Sequence, residues 1–328
     1  MKKSTFTMAL ERHDRHVPFF MGAVQTPDDV EIEPLEIGVG ILAGRRDGQD
    51  RHGRMFRDRE FDICEQSLSS YIIAKSQGAT FTAAPVFPRR LFSPNCIFVN
   101  RASGIESPAD LTGKRIGILS FQTTLCVLAK GDLQQEYGVA WRDVHWFVQQ
   151  AEELALDGIV DIPVSPIPEG RSAGEMLVEG ELDAIIMPNP PPSVLSCRDQ
   201  VKSLFDDPVA ECVRYFQKHS YCPIMHLMVF PEEVVDNAPW LPRATMDMCD
   251  EATRLTYEYY DDPNYSLLLF ARNELEHQRD ILGDDLWTSG LAANRANLER
   301  FIDFMVDQQL ISAPIPVENL FHPSVVNT

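Results

Sequence analysis

The sequence has few basic residues and no long apolar segment. It contains 29 lysines and arginines against 49 aspartates and glutamates, which gives a formal net charge of −20. A chain this acidic repels phosphate backbones, so we expect no nucleic acid partner. No run of about 18 apolar residues is present, so we expect no membrane-spanning helix and no membrane partner.

Short motifs of several large enzyme classes are also missing. There is no HExxH, GxSxG, P-loop or GxGxxG, so the sequence gives no support to a hydrolase, a kinase or a dehydrogenase. Seven scattered cysteines include no CxxC pair, which argues against a disulfide framework and a structural zinc site. The N-terminus lacks the hydrophobic stretch of a signal peptide, and charged residues follow from Glu11 onward. We therefore expect a cytoplasmic protein.

What the sequence does contain is an alternation of strand and helix patterns. With 328 residues and 44% hydrophobic residues, two domains are the natural expectation. Short runs rich in Val, Ile and Phe predict strands at 5–10, 30–37, 61–64, 81–87, 96–100, 115–119, 144–148, 184–187 and 225–230. Helical periodicity is clearest at 67–77, 123–137 and 171–179, and three more helices are predicted at 239–260, 264–280 and 290–310. The alternation favours an α/β fold with mostly parallel strands.

Prolines mark two extended segments, at 85–100 and 187–193. The second contains four prolines, which fix φ and argue against both a helix and a central strand. We interpret both segments as crossings between two lobes. The larger lobe would comprise residues 1–100 and 190–328, and a smaller inserted α/β lobe residues 101–189. Two crossings make a hinge beside a cleft, where small ligands usually bind.

Several segments resemble the 4,5-dihydroxyphthalate decarboxylase family. They cover nearly the whole chain in order: 60–71, 85–88, 96–100, 111–117, 136–138, 180–184, 223–226 and 290–295. The segments at 65–71 and 223–226 are the most specific to the family, whereas 111–117 and 180–184 occur widely in type 2 periplasmic-binding-protein-like folds. The resemblance implies that fold, with two lobes, mixed and mostly parallel sheets, flanking helices and a cleft.

The resemblance also implies an activity. A cytoplasmic enzyme of this family removes one carboxyl group from a dihydroxylated aromatic diacid, converting 4,5-dihydroxyphthalate to protocatechuate by ring protonation and CO₂ loss. The alternative is a non-catalytic cytoplasmic protein of the same fold that binds or senses an aromatic acid. Release of CO₂ from an aromatic acid would separate the two.

Two residues are the candidates for acid and base catalysis. His226 ends the Pro-Ile-Met-His run before an apolar strand, and Glu65 directly follows the strand predicted at 61–64. By residue type alone, such a histidine is more often part of the core, and such a glutamate stabilises a helix start. The resemblance favours the functional interpretation, with His226 and Glu65 sharing the acid and base work.

Hydroxyl and amide side chains at two predicted helix starts are candidates for binding the substrate's carboxylates. They are Ser67 and Ser69 after the strand at 61–64, and Gln122, Thr123 and Thr124 after the strand at 115–119. Simple N-capping is the alternative for these residues.

Arg15 and Arg90 are candidate carboxylate clamps, because a guanidinium can pair with a carboxylate through two hydrogen bonds. For the neighbouring Arg89 we prefer a solvated side chain. Asn189, within the second proline-rich segment, is a further substrate-binding candidate.

Cofactors and partners follow from the same reasoning. His13 and His16, with Asp14, are of ligand type, but HxxH without a third placed ligand is a weak metal signal. We therefore expect no cofactor, with a divalent metal as the alternative. The expected partner is a small aromatic carboxylate. Aromatic residues of the C-terminal helices, Tyr257, Tyr259, Tyr260 and Phe301, suit either a face for a homo-oligomer or the core.

Overall fold

The chain forms two compact units. The computed structural model describes residues 4–38, 50–155 and 164–328. Unit 1 consists of Met1–Arg90, Ile224–Leu298 and Ile315–Thr328, and unit 2 of Leu91–Pro223 and Glu299–Pro314. The sequence placed the boundaries at 100/101 and 190 instead. The difference arises because the strand at 201–203 pairs with the strand at 97–100, which keeps both in the second sheet.

The eleven strands found among the described residues match most of the predicted ones within a few residues. They are β1 (Ser4–Leu10), β2 (Val30–Glu36), β3 (Ile63–Ser67), β4 (Phe81–Arg90), β5 (Ile97–Asn100), β6 (Arg115–Ile118), β7 (His145–Val148), β8 (Val164–Pro166), β9 (Ala184–Ile186), β10 (Val201–Ser203) and β11 (Ile224–Pro231). The short strands β8 and β10 were not predicted, because three residues are too few to show an alternating pattern.

Eleven α-helices accompany them in the described part of the chain. They are α1 (Val17–Phe20), α2 (Arg51–Gly53), α3 (Leu68–Ser76), α4 (Thr124–Tyr137), α5 (Ala173–Val178), α6 (Pro192–Ser196), α7 (Pro208–His219), α8 (Glu232–Asn237), α9 (Leu241–Asp261), α10 (Ala271–Leu282) and α11 (Leu291–Asp307). In the stretches 4–38, 50–155 and 164–328, none of these helices is both long and apolar enough to cross a membrane.

Two of the helices begin where the sequence did not place them. Helix α6 starts at Pro192, inside the proline-rich segment, because proline is compatible with the first turn of a helix. The helix predicted at 264–280 begins only at Ala271. Residues 267–270 are four consecutive apolar residues, which cannot all lie on one face of a helix.

Unit 1 contains a five-stranded mixed sheet in the order β2-β1-β3-β11-β4. Strand β1 pairs in parallel with β2 and β3, whereas β11 runs antiparallel to both β3 and β4. All eight residues of β11 are buried, as its nearly continuous apolar run indicates. Helices α3 and α8 pack against β11, and α9 packs against β4.

Unit 2 contains a six-stranded sheet in the order β10-β5-β9-β6-β7-β8. The strands β9, β6, β7 and β8 are parallel. Strand β5 pairs antiparallel with β9, and β10 pairs antiparallel with β5. Aliphatic side chains of this sheet and of α5, among them Leu177, Leu182 and Ile185, form a buried core cluster. The two sheets confirm an α/β architecture with mixed, mostly parallel strands.

Candidate active site

The strand register of unit 1 places three functional side chains on one face of its sheet. His226 on β11 lies opposite Ser67 on β3, and Met228 lies opposite Glu65. His226 also lies opposite Arg89 on β4. Because side chains alternate along a strand and paired residues share a face, Glu65, Ser67 and His226 lie on the same side. Arg89 lies at a register shift of the β4–β11 pairing, and it is close enough to His226 for its charge to lower the His226 pKa.

Glu65 and His226 form a direct hydrogen bond. The distance from His226 Nδ1 to Glu65 Oε1 is 2.6 Å, although the two residues are 161 positions apart in the sequence. Glu65 is fully buried and His226 nearly so. The other carboxylate oxygen, Oε2, accepts the backbone N–H of Glu11 at 3.0 Å. The structure thus brings together the two residues that the sequence proposed for acid and base work.

A buried arginine compensates the charge of Glu65. Arg51 is fully buried, its NH2 group lies 3.5 Å from Glu65 Oε2, and its Nε donates to the Glu65 carbonyl at 2.9 Å. Its NH1 donates to the carbonyl of Ile37 at 2.5 Å. Arg51 opens α2, where the Asp50 carboxylate caps the Gly53 N–H. A Cβ at Gly53 would come within 2.5 Å of both Asp50 carboxylate oxygens, so glycine permits this tight start.

Three further histidines surround the Glu65–His226 pair. His13 Nε2 lies 3.6 Å from Glu65 Oε1, and His16 Nδ1 lies 3.8 Å from Oε2. The His16 ring is fixed by a hydrogen bond of 2.7 Å to the Glu11 carbonyl. The His52 ring meets the His226 ring edge to face, with 5.2 Å between centroids. The result is a buried cluster rich in imidazole, centred on one carboxylate.

The electrostatics favour an ionised Glu65 beside a neutral His226. Burial would raise the pKa of Glu65, but the charge of Arg51 and the neighbouring His13 and His226 rings hold that pKa well below its usual value. Burial lowers the pKa of His226 to about 3, against the opposing effect of Glu65. Burial likewise lowers the pKa of His16 to about 4 and that of His52 well below its usual value.

The protonation states fix the role of each imidazole nitrogen. An ionised Glu65 can only accept, so His226 carries its proton on Nδ1 and donates it to the carboxylate. The other nitrogen, Nε2, then holds a lone pair that can take up a proton. Because the two side chains are bonded to each other, they form one proton-transfer group and cannot serve two distant atoms of a ligand.

The guanidinium groups of Arg89 and Arg90 differ in their partners. The NH2 group of Arg90 donates to Asn294 Oδ1 at 2.7 Å and to the carbonyl of Thr288 at 3.3 Å, and the residue is 8% exposed. These contacts tie β4 to the segment from Thr288 to Asn294 in unit 1. The Arg89 guanidinium makes no hydrogen bond or ion pair with any described residue, and its charge lowers the pKa of His226.

Arg15 lies at a small cavity of unit 1 that His16, Phe87, Pro88 and Trp287 also line. Its Nε donates to the Pro88 carbonyl, and its guanidinium carbon lies 4.1 Å from the centre of the Trp287 ring. These contacts hold the guanidinium in one orientation. A guanidinium that pairs with a carboxylate through two hydrogen bonds needs such a fixed orientation.

Ser67 and Ser69 lie at the start of α3, next to the cluster. Both are buried, and their hydroxyl oxygens are 3.2 Å apart. Ser67 is the N-cap residue of α3, yet its side chain makes no capping hydrogen bond within this fully described helix. The register with His226 places Ser67 on the face of the Glu65–His226 pair.

The other predicted binding residues belong to unit 2. Thr123 is the N-cap of α4, and its hydroxyl lies 2.7 Å from that of Ser120. The backbone N–H groups of Phe121 and Gln122 donate to the Glu152 carboxylate at 2.6 and 3.0 Å. This helix start does receive a carboxylate, as the sequence suggested, but the carboxylate comes from the chain itself.

The last two binding candidates of unit 2 differ in burial. Thr124, the first residue of α4, is buried. Asn189 lies in the exposed bend that follows β9.

The metal candidates do not form a ligand set. Asp14 accepts the backbone N–H of Arg15 at 2.8 Å and the hydroxyl of Tyr260 at 2.9 Å. The rings of His13 and His16 are tilted, with 5.6 Å between their centroids. Across residues 4–38, 50–155 and 164–328, no group of three or more His, Cys, Asp or Glu side chains is arranged to hold a metal ion.

Sequence reasoning did not single out Arg51 and His52, and it preferred Arg90 to Arg89 as a substrate-binding candidate. The first two belong to a segment without helical or strand periodicity, and charged residues are expected to be exposed. For Arg89, the pairing of β4 with β11 shifts its register at Arg89 and Arg90, and such a shift cannot be predicted from the sequence pattern.

Solved structures with a similar fold include sulfonate-binding proteins. The periplasmic aliphatic sulphonate binding protein SsuA from Escherichia coli matches with a TM-score of 0.54 and 10% identity over 100% of both chains. A putative periplasmic sulfonate-binding protein SsuA from Methylobacillus flagellatus KT matches with a TM-score of 0.58 and 12% identity, over 99% of this chain and 93% of that one. The chain therefore has the periplasmic-binding-protein-like fold.

Relatives in sequence are enzymes. No protein-family model matches the chain. A 4,5-dihydroxyphthalate decarboxylase from Pseudomonas putida is 32% identical over 228 residues, covering 67% of this chain and 84% of that protein. The 4,5-dihydroxyphthalate decarboxylase from Comamonas testosteroni is 31% identical over 333 residues, covering 99% of this chain and 98% of that protein. With such identity along the full length of both proteins, the chain belongs to the 4,5-dihydroxyphthalate decarboxylase family.

Proposed function

We propose that this chain is a carboxy-lyase that converts 4,5-dihydroxyphthalate to protocatechuate and CO₂. The observation that carries the proposal is the buried Glu65–His226 pair, joined at 2.6 Å and flanked by Arg51 and Arg89. The names of the two relatives support the same substrate.

The charges around the pair suit an aromatic dicarboxylate. In a chain of net charge −20, the Arg89 guanidinium has no partner among the described residues, and its charge acts on His226. Arg15 lies oriented in unit 1 as well. A guanidinium in a poorly hydrated site binds a carboxylate through charge-assisted hydrogen bonds. We assign Arg89 to the carboxylate that stays on the ring, with Arg15 and Ser67 as further contacts.

The chemical problem is the electron pair left on the ring carbon when CO₂ departs. In 4,5-dihydroxyphthalate each hydroxyl lies para to one carboxylate. Ionisation of that hydroxyl places electron density on the carbon that bears the carboxylate, which can then accept a proton. Loss of CO₂ from the protonated carbon returns the bonding pair to the ring and restores aromaticity, so a bare aryl anion is never formed.

The Glu65–His226 pair supplies the proton for that carbon. Burial holds His226 neutral in the free protein, but a bound dianion raises its pKa, so Nε2 takes up one proton from solvent. The imidazolium transfers the proton to the ring carbon and returns to the neutral form, while Glu65 keeps the ring oriented through Nδ1. One proton is consumed for each CO₂ released. The phenolic proton leaves and returns at the opposite end of the ring, beyond the reach of the pair.

The test is CO₂ release from 4,5-dihydroxyphthalate by the wild type, His226→Ala and His219→Ala. His219 is the matched control, because it also contacts a buried glutamate, Glu136, at 2.9 Å. We expect His226→Ala to lower kcat by about 10²–10⁴-fold with a small change in KM, as loss of a general acid does. His219→Ala should change kcat less than about threefold.

Two results would contradict the proposal. A wild type that binds the diacid but releases no CO₂ is a binding protein of this fold. A His226→Ala variant with near-normal kcat removes the pair from the chemistry.

A further inference from the structure

Unit 1 has an exposed apolar surface at the end of the α9–α10 hairpin. Leu267, Leu268, Leu269 and Phe270 are 99%, 71%, 87% and 74% exposed, and Tyr265 is 42% exposed. We call these five residues the hairpin tip. The other large apolar side chains exposed in the described part of the chain, such as Met21 and Val209, are scattered singly. Single exposed residues need no explanation, but a contiguous apolar surface marks an interaction site.

The helix next to the hairpin tip is also poorly covered. Helix α10, described over its whole length, has no buried residue. A twelve-residue helix is only marginally stable in water without packing. At the base of the tip, the rings of Tyr259 and Tyr265 are stacked with centroids 5.0 Å apart, so the apolar surface is held in place.

We propose that the hairpin tip is the contact surface for a second copy of this chain, with two tips packed against each other about a two-fold axis. This goes beyond the proposed decarboxylase activity. For Phe301 the sequence left open a face for a homo-oligomer or the core, and at 2% exposure it belongs to the core.

Charge favours a protein partner over a lipid surface. Residues 263–271 contain no charged side chain. Asp261 and Asp262 precede them and Arg272 and Glu274 follow, so acidic residues outnumber basic ones at the flanks. A segment that inserts into a membrane is typically flanked by Lys and Arg, which anionic lipids attract. In a chain of net charge −20, the uncharged tip is a place where a second copy can approach with little local repulsion.

The area also fits a dimer. A fully exposed leucine offers roughly 100 Å² of apolar surface, so the five residues offer on the order of 500 Å². Two tips packed on each other then bury roughly 1,000 Å², the lower limit for a specific interface, and the adjoining surface of α10 adds to it. A two-fold contact needs only one self-complementary surface, and each copy carries it.

The test is sedimentation velocity of the full chain at 1–50 µM with tip variants and charge-matched controls. The tip variants are Leu267→Asp/Leu269→Asp and the uncharged Leu267→Ser/Leu269→Ser. The control is Met21→Asp/Val209→Asp, which adds the same two charges at isolated exposed positions. We expect association in the wild type and the control, and roughly 100-fold weaker association in both tip variants. Thermal unfolding confirms that each variant is folded.

Salt gives a second readout. The two copies carry the same net negative charge, and their repulsion opposes the apolar contact. Salt screens this repulsion, so the wild type should associate more tightly in 0.5 M than in 0.05 M NaCl. A monomeric wild type at 50 µM, or tip variants with unchanged association, would overturn the proposal. So would a monomeric wild type that sediments with phosphatidylcholine–phosphatidylglycerol vesicles and loses this binding in the tip variants.

Discussion

The two units contain clusters of similar composition that differ in how their charges are paired. In unit 1, Glu65 is bonded to His226 at 2.6 Å and compensated by Arg51. In unit 2, Glu136 contacts His219 at 2.9 Å and Arg300 at 2.9 Å. A buried glutamate, a histidine and an arginine therefore occur together twice.

The clusters differ in whether their cations are already paired. Lys218 and Arg214 also contact Glu136, at 2.8 and 3.3 Å, so every cation of the unit 2 cluster has a partner. Burial would raise the pKa of Glu136, but hydrogen bonds from Lys218, Arg300 and His219 lower it to about 2. Around Glu65, by contrast, Arg89 is left without a partner among the described residues. The two clusters therefore contain the same residue types and differ in whether every cation already has a partner within the part of the chain that the structure describes.

The strongest test of this comparison is to remove the buried arginine from each cluster. Arg51→Met should lower the free energy of unfolding at pH 7 by about 3–5 kcal/mol, because it leaves a buried carboxylate uncompensated. The charge of Arg51 lowers the pKa of both Glu65 and His226. Both pKa values should therefore rise in the variant, and the acid limb of the kcat/KM profile should move toward neutral pH.

The low pKa of Glu65 determines how the stability deficit of Arg51→Met changes with pH. A depressed carboxyl pKa stabilises the fold above the group's usual pKa, and this contribution is lost as the pH falls through the folded value. The deficit of Arg51→Met in urea unfolding should thus be largest at neutral pH and shrink toward pH 4. Arg300→Met should also lose stability but keep the wild-type kcat/KM profile. If Arg300→Met moved that profile as well, the two clusters would not differ in function.

A second test uses Asp132, an acid of the unit 2 cluster. Burial raises the pKa of Asp132 to about 7, against hydrogen bonding from Ser93 and the charge of Arg300. A raised carboxyl pKa gives stability that is present below the usual pKa and is lost as the pH rises through 7. The non-titrating Asp132→Asn should therefore gain on the order of 2–4 kcal/mol relative to the wild type between pH 4 and pH 8.

Urea unfolding at four pH values between 4 and 8 measures this gain. Asp303→Asn, an exposed position on α11, is the control and should differ from the wild type by less than about 0.5 kcal/mol at every pH. A difference between Asp132→Asn and the wild type that does not change with pH would mean that Asp132 titrates as an ordinary carboxyl.

The same contrast explains which parts of the molecule could be predicted from the sequence. The patterns of β3, β4 and β11 were visible, because short apolar runs bounded by polar residues indicate buried strands. Glu65 was a candidate because it directly follows such a run, and His226 because the family resemblance favoured a functional role for it. Their direct bond was not predictable, since no local pattern shows that β3 and β11 are antiparallel neighbours.

Three features depended on tertiary contacts. Arg51 is buried against the expectation for its residue type, and its role depends on the carbonyl of Ile37 and the carboxylate of Glu65. Which of Arg89 and Arg90 lies opposite His226 depends on how β4 pairs with β11, and a shift of one residue in that pairing changes the answer. The hairpin tip was assigned to a helix, because helical periodicity was read through the apolar run at 267–270.

The smallest expected effects are those of replacing a single cation in each cluster, Arg89 in unit 1 and Lys218 in unit 2. Arg89→Met should raise KM for 4,5-dihydroxyphthalate by roughly 10–100-fold with little change in kcat, the result of losing a hydrogen bond to a charged ligand group. Lys218→Met should leave KM unchanged and cost less than about 1 kcal/mol of stability, because Lys218 is 51% exposed and pairs in a well-hydrated position. Steady-state kinetics and urea unfolding of both variants measure these values. If Arg89→Met left KM unchanged, the unpaired guanidinium would not hold the substrate's carboxylate. The distinction between the two clusters would then have to rest on His226 and His219 alone.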